Sequence, residues 1–175
     1  MARWFLPALH VVVLLLTAVA LIMALLGRRA EQDLLSGLAH PLLDLDHFLA
    51  LIAAGLWAGR LPVPALWAIP LSFLTGMALG FPLAAPGAVA AVEPLLQLAM
   101  GMAAVVLAAV AQLGLRPVLQ EAAVALVLLG ICHGVTDRVE AGVAAAGPFT
   151  TGNLATATAL LALGVLTGLA SRPAD

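Results

Sequence analysis

The chain holds four histidines and nine acidic residues in an otherwise almost wholly apolar sequence. Most of them gather in two short runs. The first is His40-Pro41-Leu42-Leu43-Asp44-Leu45-Asp46-His47, and the second is Cys132-His133-Gly134-Val135-Thr136-Asp137-Arg138-Val139-Glu140. On a continuous helix His40, Asp44 and His47 stand at i, i+4 and i+7 and share one stripe, with Asp46 about a third of a turn away. His133, Asp137 and Glu140 repeat that spacing. Imidazole and carboxylate together suit borderline divalent cations such as nickel, cobalt or zinc, whereas copper(I) favours thiolate-rich sets. The plainer alternative is that these groups cap helix ends, pair with Arg138 or sit in water at an interface, and spacing alone does not separate the two.

The elements that must position these runs are membrane helices. Only 9% of the 175 residues are charged and 64% are apolar, against about a quarter charged in a soluble domain. A crossing needs about 20 apolar residues, so the chain has room for about six. Breakers divide it into apolar segments at residues 4–27, 42–59, 64–84, 89–111, 118–135 and 149–170. Lipid offers no partner for free backbone groups, and the segments lack the period-2 alternation of a transmembrane barrel, so each is expected to be a helix. The expected fold is all-α: one transmembrane domain over residues 1–175, with six helices in a compact polytopic bundle. Pro41 suits the first position of the second span, with His40 as its cap. The short loops predict that consecutive helices are antiparallel neighbours. Gly76-x3-Gly80 and Gly164-x3-Gly168 are read as packing faces. The first segment is read as a retained span, with a cleaved signal peptide as the alternative.

Parity brings the two runs together. The start of an even-numbered span and the end of an odd-numbered one share a membrane side, and Glu93, opening the fourth span, joins them there. Arg3, Arg60, Arg116 and Arg172 fall on the opposite side. Most acids lie on the histidine-bearing face, which is expected to attract cations. Both termini are expected in the cytoplasm and the acidic face in the periplasm.

Other classes of function find little support. The net charge is −2 and the arginines are scattered singly or as one pair, so no basic patch for nucleic acid or anionic lipid is expected. There is no H-E-x-x-H or G-x-S-x-G motif, which argues against a metalloprotease and a serine hydrolase, and no GxxxxGK[ST], so any energy for transport must come from the membrane potential, a proton gradient or a separate subunit. One cysteine cannot form an intramolecular disulfide. His10 is read as a lone packed or interfacial imidazole, Met77, Met100 and Met102 as gap fillers, and Cys132 as a small hydrophobe. Thr150, Thr151, Asn153, Thr156 and Thr158 form a polar stripe that either lines a path or hydrogen-bonds between helices.

The runs HPLLDLDHFLALIAAGLWAG, PLSFLTGMALG, VEPLLQLAMG and LGICHGVTDRVE resemble the HupE/UreJ family of hydrogenase and urease accessory permeases across nearly the whole chain. The pattern H-x5-D-H is met by His40, Asp46 and His47. Of a second motif, H-G-x-A-H-G-x-E, His133, Gly134 and Glu140 match, while Asp137 stands at the second histidine and Arg138 at the following glycine. Leu161 stands about where the last helix would carry a histidine. The resemblance implies a six-span permease of the bacterial inner membrane, with a nickel or cobalt ion as transported substrate and no organic cofactor, supplying a nickel enzyme such as hydrogenase or urease. Of the candidate metal residues, the resemblance implies His40, Asp46, His47, His133 and Glu140, and spacing and parity add Asp44, Glu93 and Asp137. The partners are then the divalent ion and membrane lipid, with no nucleic acid. The alternatives are a non-transporting metal-binding or assembly protein and a haem-anchoring bundle.

Overall fold

A computed structural model describes residues 33–84, 91–141 and 146–172. The expected span at 4–27, and His10 within it, lie outside the described residues. Six helices and no strand are present among those described: α1 (Asp33–Leu43), α2 (Leu45–Arg60), α3 (Ala65–Leu83), α4 (Glu93–Leu113), α5 (Leu119–Glu140) and α6 (Ala146–Ala170). The helices α3 to α6 are each long and apolar enough to cross a membrane, and α1 and α2 together are apolar enough to do so as a pair bent by 76°, which makes either a broken span or a re-entrant loop. Large apolar side chains such as Trp67, Leu71, Leu98, Val105 and Leu166 are exposed on the outside of the bundle. Outward apolar and inward mixed surfaces are what lipid solvent demands, and the protein is an all-α polytopic membrane bundle.

The second expected span is corrected in detail. Its helix does not begin at Pro41. His40 and Pro41 lie inside α1, and the chain breaks at Asp44, whose backbone is extended (φ −94°, ψ 114°) and whose side chain accepts from the Asp46 N–H. An aspartate there caps the orphan donors of α2, and Asp46 in the first turn complements the helix dipole. Capping at Asp44 therefore decides where α2 starts. The fifth span, expected to end at 135, continues as helix through Glu140.

The expectation that consecutive helices are the neighbours is also overturned. The closest pairings are α3 with α5, α2 with α6, α1 with α6 and α2 with α4, while α2 and α3, or α4 and α5, meet far less. Small residues choose the partners. A methyl group on Gly76 would lie 2.2 Å from the Val127 carbonyl oxygen, and one on Gly134 2.1 Å from that of Met77, so α3 and α5 cross backbone against backbone. Gly164 and Gly168 meet Gly55 and Gly59 in the same way between α2 and α6. Without a hydrophobic drive between helices in lipid, such close approach is a main source of association. The start of α2 and the end of α5 lie at one level, where His47 meets Asp137.

Candidate metal centre

At that level the imidazole rings of His40, His47 and His133 form a chain, with centroids 5.0 Å apart for His40 and His47 and 4.5 Å for His47 and His133. The break at Asp44 turns His40 back toward His47. Among the described residues, candidate ligand atoms of His40, Asp44 and His47 all lie within 4.8 Å of one another. The stripe expected on a straight helix is thus achieved across a bend. His47 and His133 are fully buried and Asp137 is 1% exposed.

Asp137 is the hub. Its Oδ1 lies 2.9 Å from His40 Nε2 and 2.7 Å from His47 Nε2, and its Oδ2 accepts from Asn153 Nδ2 at 2.6 Å. Glu140 Oε2 is 3.4 Å from the same His40 nitrogen. On the other side of His47, Nδ1 lies 3.0 Å from Asp46 Oδ1 and 3.2 Å from Asp44 Oδ2. Asp46, expected to point away from the stripe, reaches His47 by folding back along the first turn, where its carboxylate also accepts the His47 backbone N–H at 2.8 Å.

Ring nitrogens assign the roles. His133 Nδ1 faces the Leu129 carbonyl oxygen at 3.0 Å. A carbonyl only accepts, so Nδ1 carries the proton and Nε2 of the neutral ring keeps its lone pair. For His47, the two carboxylates at Nδ1 favour a proton there, and Nε2, facing Asp137, is the atom a metal ion would take in place of a proton. Both Nε2 atoms are buried and make no hydrogen bond. His47 Nε2 lies 2.7 Å from Asp137 Oδ1, an ion-pair distance, so one positive charge, a proton or a metal ion, belongs at that contact. A ligating histidine ordinarily donates its other N–H to a carboxylate or a backbone carbonyl, which fixes tautomer and ring orientation. His47 has the carboxylates and His133 the carbonyl. The donor set of imidazole and carboxylate, with no thiolate among these groups, fits a borderline divalent cation.

The route to these groups is polar on one side and dry on the other. A cavity of about 440 Å³ is lined by Ser36, His40, Asp44, Glu140 and Phe149 among others. His40 and Glu140 stand between it and Asp137. Irregular backbone such as the break at Asp44 is tolerated at membrane depth where it lines such a cavity. In the other direction, Phe73 packs against His133 at 5.1 Å between ring centroids, and Leu51 and Ile69 are wholly buried.

Seven of the eight expected metal residues are drawn together: His40, Asp44, Asp46, His47, His133, Asp137 and Glu140. Glu93 is not among them. It opens α4 but makes no hydrogen bond or ion pair among the described residues, and Gln97, one turn later, reaches Glu140 instead (3.0 Å). Arg138 stacks its guanidinium 5.7 Å from the Phe81 ring centroid. The polar stripe on α6 splits: Asn153 holds Asp137, Thr156 donates to the Leu38 carbonyl of α1, and Thr151 and Thr158 bond back to their own helix. Asn153 and Gln97 were not singled out as site residues. A lone amide within the apolar sixth span is the signal for Asn153, since a buried amide needs a polar partner. Met100 and Met77 are buried and Met102 is exposed, and Met100 accepts a hydrogen bond from Thr136. Leu161 is buried in the core.

A membrane bundle with a buried histidine and carboxylate cluster at the broken start of one helix and the end of another is the class of protein that fold and site define. Comparison with protein families matches residues 11–175 to the family described as HupE / UreJ protein. The chain is 34% identical over 142 residues to Protein HupE of Rhizobium leguminosarum bv. viciae, covering 78% of this chain and 70% of that protein. The chain belongs to the HupE/UreJ family. No solved structure matches it.

Proposed function

We propose that the protein is a permease of the bacterial inner membrane for a divalent transition metal, nickel or cobalt, that supplies a nickel enzyme such as hydrogenase or urease. The observation that carries this reading is the buried Nε2 of His133, without a hydrogen-bond partner, on a ring 4.5 Å from that of His47, whose own Nε2 lies 2.7 Å from Asp137 Oδ1. The family membership and the relative named Protein HupE support it.

The ion is the substrate. Asp44, Glu140 and His40 collect it in the vestibule and replace part of its water shell. His47, His133 and Asp137 then take it in, while Asp46, the Leu129 carbonyl and Asn153 hold those ligands in orientation. Beyond His133 the Phe73 ring and the apolar core close the path, so passage onward requires the α3 and α5 crossing to move. For an ion of charge two moving inward, the membrane potential supplies about 4.6 kcal/mol per 100 mV, twice the single-charge value.

The test is uptake of radioactive nickel and cobalt by cells expressing the full chain. His47→Ala and Asp46→Ala abolish uptake while the protein remains in the membrane. Uptake by His47→Ala at the wild-type rate refutes the reading. Metal bound by the purified wild type but never accumulated by cells assigns the protein to metal binding or assembly.

A further inference from the structure

At the opposite end of the bundle from the histidines lies a second polar cavity of about 330 Å³, bordered by Trp57, Arg60, Gln112, Arg116, Ser171 and Arg172 among others. The length of α2, at 1.5 Å per residue, separates it from Asp44 by about 24 Å. Arg60, Arg116 and Arg172 are far apart in the sequence and belong to different helix ends. The expectation of no basic patch is corrected here, because the fold gathers arginines that the sequence scatters.

Each guanidinium carries five N–H donors. Arg60 donates through Nη1 to the Ala111 carbonyl (2.6 Å) and Gln112 Oε1 (3.3 Å), and through Nε to Ser171 Oγ (3.1 Å). Arg172 donates through Nε to the Gly59 carbonyl at 2.8 Å and through Nη2 to that of Leu61. These contacts cap the C-terminal ends of α2 and α4, which explains why the two side chains are held there. All the acceptors are neutral. Among the described residues, Arg116 makes no hydrogen bond or ion pair and no acidic side chain borders the cavity. Three positive charges therefore converge on one opening with spare donors and, among the described residues, no counter-charge. Exposed Leu113 and Leu115 lie beside it, so a ligand with an anionic head and an apolar tail meets a matching surface.

We propose that this cavity binds a phosphate group, carried by the headgroup of an anionic phospholipid. Guanidinium forks recognise phosphate oxygens through paired charge-assisted hydrogen bonds, and basic pockets between membrane helices hold anionic headgroups. Arg60 and Arg172 form the preformed cradle, and Arg116 supplies the free charge. Occupancy ties together the ends of α2, α4 and α6, away from the metal centre.

The test measures the unfolding temperature of the full chain in a non-ionic detergent, titrated with phosphatidylglycerol, phosphatidylcholine or sodium phosphate, with sodium chloride as the ionic control. Arg116→Gln is the variant of choice, because that side chain caps no helix, and its unfolding temperature without lipid matches the wild type. Phosphatidylglycerol raises the wild-type midpoint and phosphatidylcholine does not, and Arg116→Gln weakens the apparent affinity for phosphatidylglycerol about fivefold. Equal protection by sodium phosphate, also weakened in the variant, upholds the phosphate site and assigns it to a free anion. Equal protection by the two lipids, or unchanged phosphatidylglycerol affinity in Arg116→Gln, overturns the proposal.

Discussion

His47 Nε2 and Asp137 Oδ1 stand 2.7 Å apart at the meeting of α2 and α5, buried and without a hydrogen bond between them. That approach needs one positive charge, which a proton on Nε2 or a bound metal ion in its place supplies. The surrounding groups divide the work: Asp46 and the Leu129 carbonyl orient the rings, and Asn153 orients the carboxylate.

Asn153→Ala removes the amide that holds Asp137 Oδ2 but leaves every ligand in place. Loss of such a supporting hydrogen bond costs about 10–100-fold in metal affinity. Isothermal titration of the purified variant with nickel is expected to show that loss with unchanged stoichiometry. Wild-type affinity contradicts the role of Asn153 in holding the carboxylate.

Asp44 has two tasks that substitutions can separate. Asparagine caps a helix as well as aspartate does, whereas alanine at a cap costs about 0.5–2 kcal/mol. Asp44→Asn is therefore expected to keep the wild-type unfolding temperature while slowing uptake at low metal concentration. Asp44→Ala lowers both. Equal thermal stability of the two variants contradicts the capping assignment.

Gly134→Ala sets a methyl group 2.1 Å from the Met77 carbonyl oxygen. The α3 and α5 backbones must part, at the cost of about 1–3 kcal/mol typical of overpacking, and His133 moves with them. The expected outcome is a lower unfolding temperature together with weaker nickel binding. Gly101→Ala, where nothing lies within 4 Å of the added carbon, serves as the neutral control.

Glu140 lines the vestibule and is tied by Gln97. Glu140→Gln removes its charge without touching His47 or His133. Initial uptake rates should fall and lose part of their dependence on ionic strength, since charge at a mouth acts mainly on the rate of capture. A rate equal to wild type at low salt contradicts that role.

The all-α membrane fold was legible because lipid leaves few solutions for an apolar chain, and parity alone placed the ends of α2 and α5 on one side. The break at Asp44 was not legible: Pro41 is compatible with both the first turn and the interior of a helix, and capping by Asp44 decided between them. Helix neighbours were hidden for a related reason. In a chain so rich in alanine, Gly130 and Gly134 do not declare which face they oppose, yet they set α3 against α5 more firmly than any short loop joins consecutive helices. Glu93 shares the right side of the membrane with the cluster, but sharing a level is not sharing a contact. Asn153 was legible only as one member of a polar stripe, because whether an amide meets a carboxylate depends on helix rotation that sequence spacing leaves open.

Nickel K-edge X-ray absorption on the metal-loaded full chain tests the shared ligation by His47 and His133 most directly. Nitrogen and oxygen neighbours are expected, with the outer-shell scattering of at least two imidazoles, reduced by one imidazole in His133→Ala. A sulfur neighbour from Cys132 or Met100, or a wild-type spectrum in His133→Ala, would contradict that ligation.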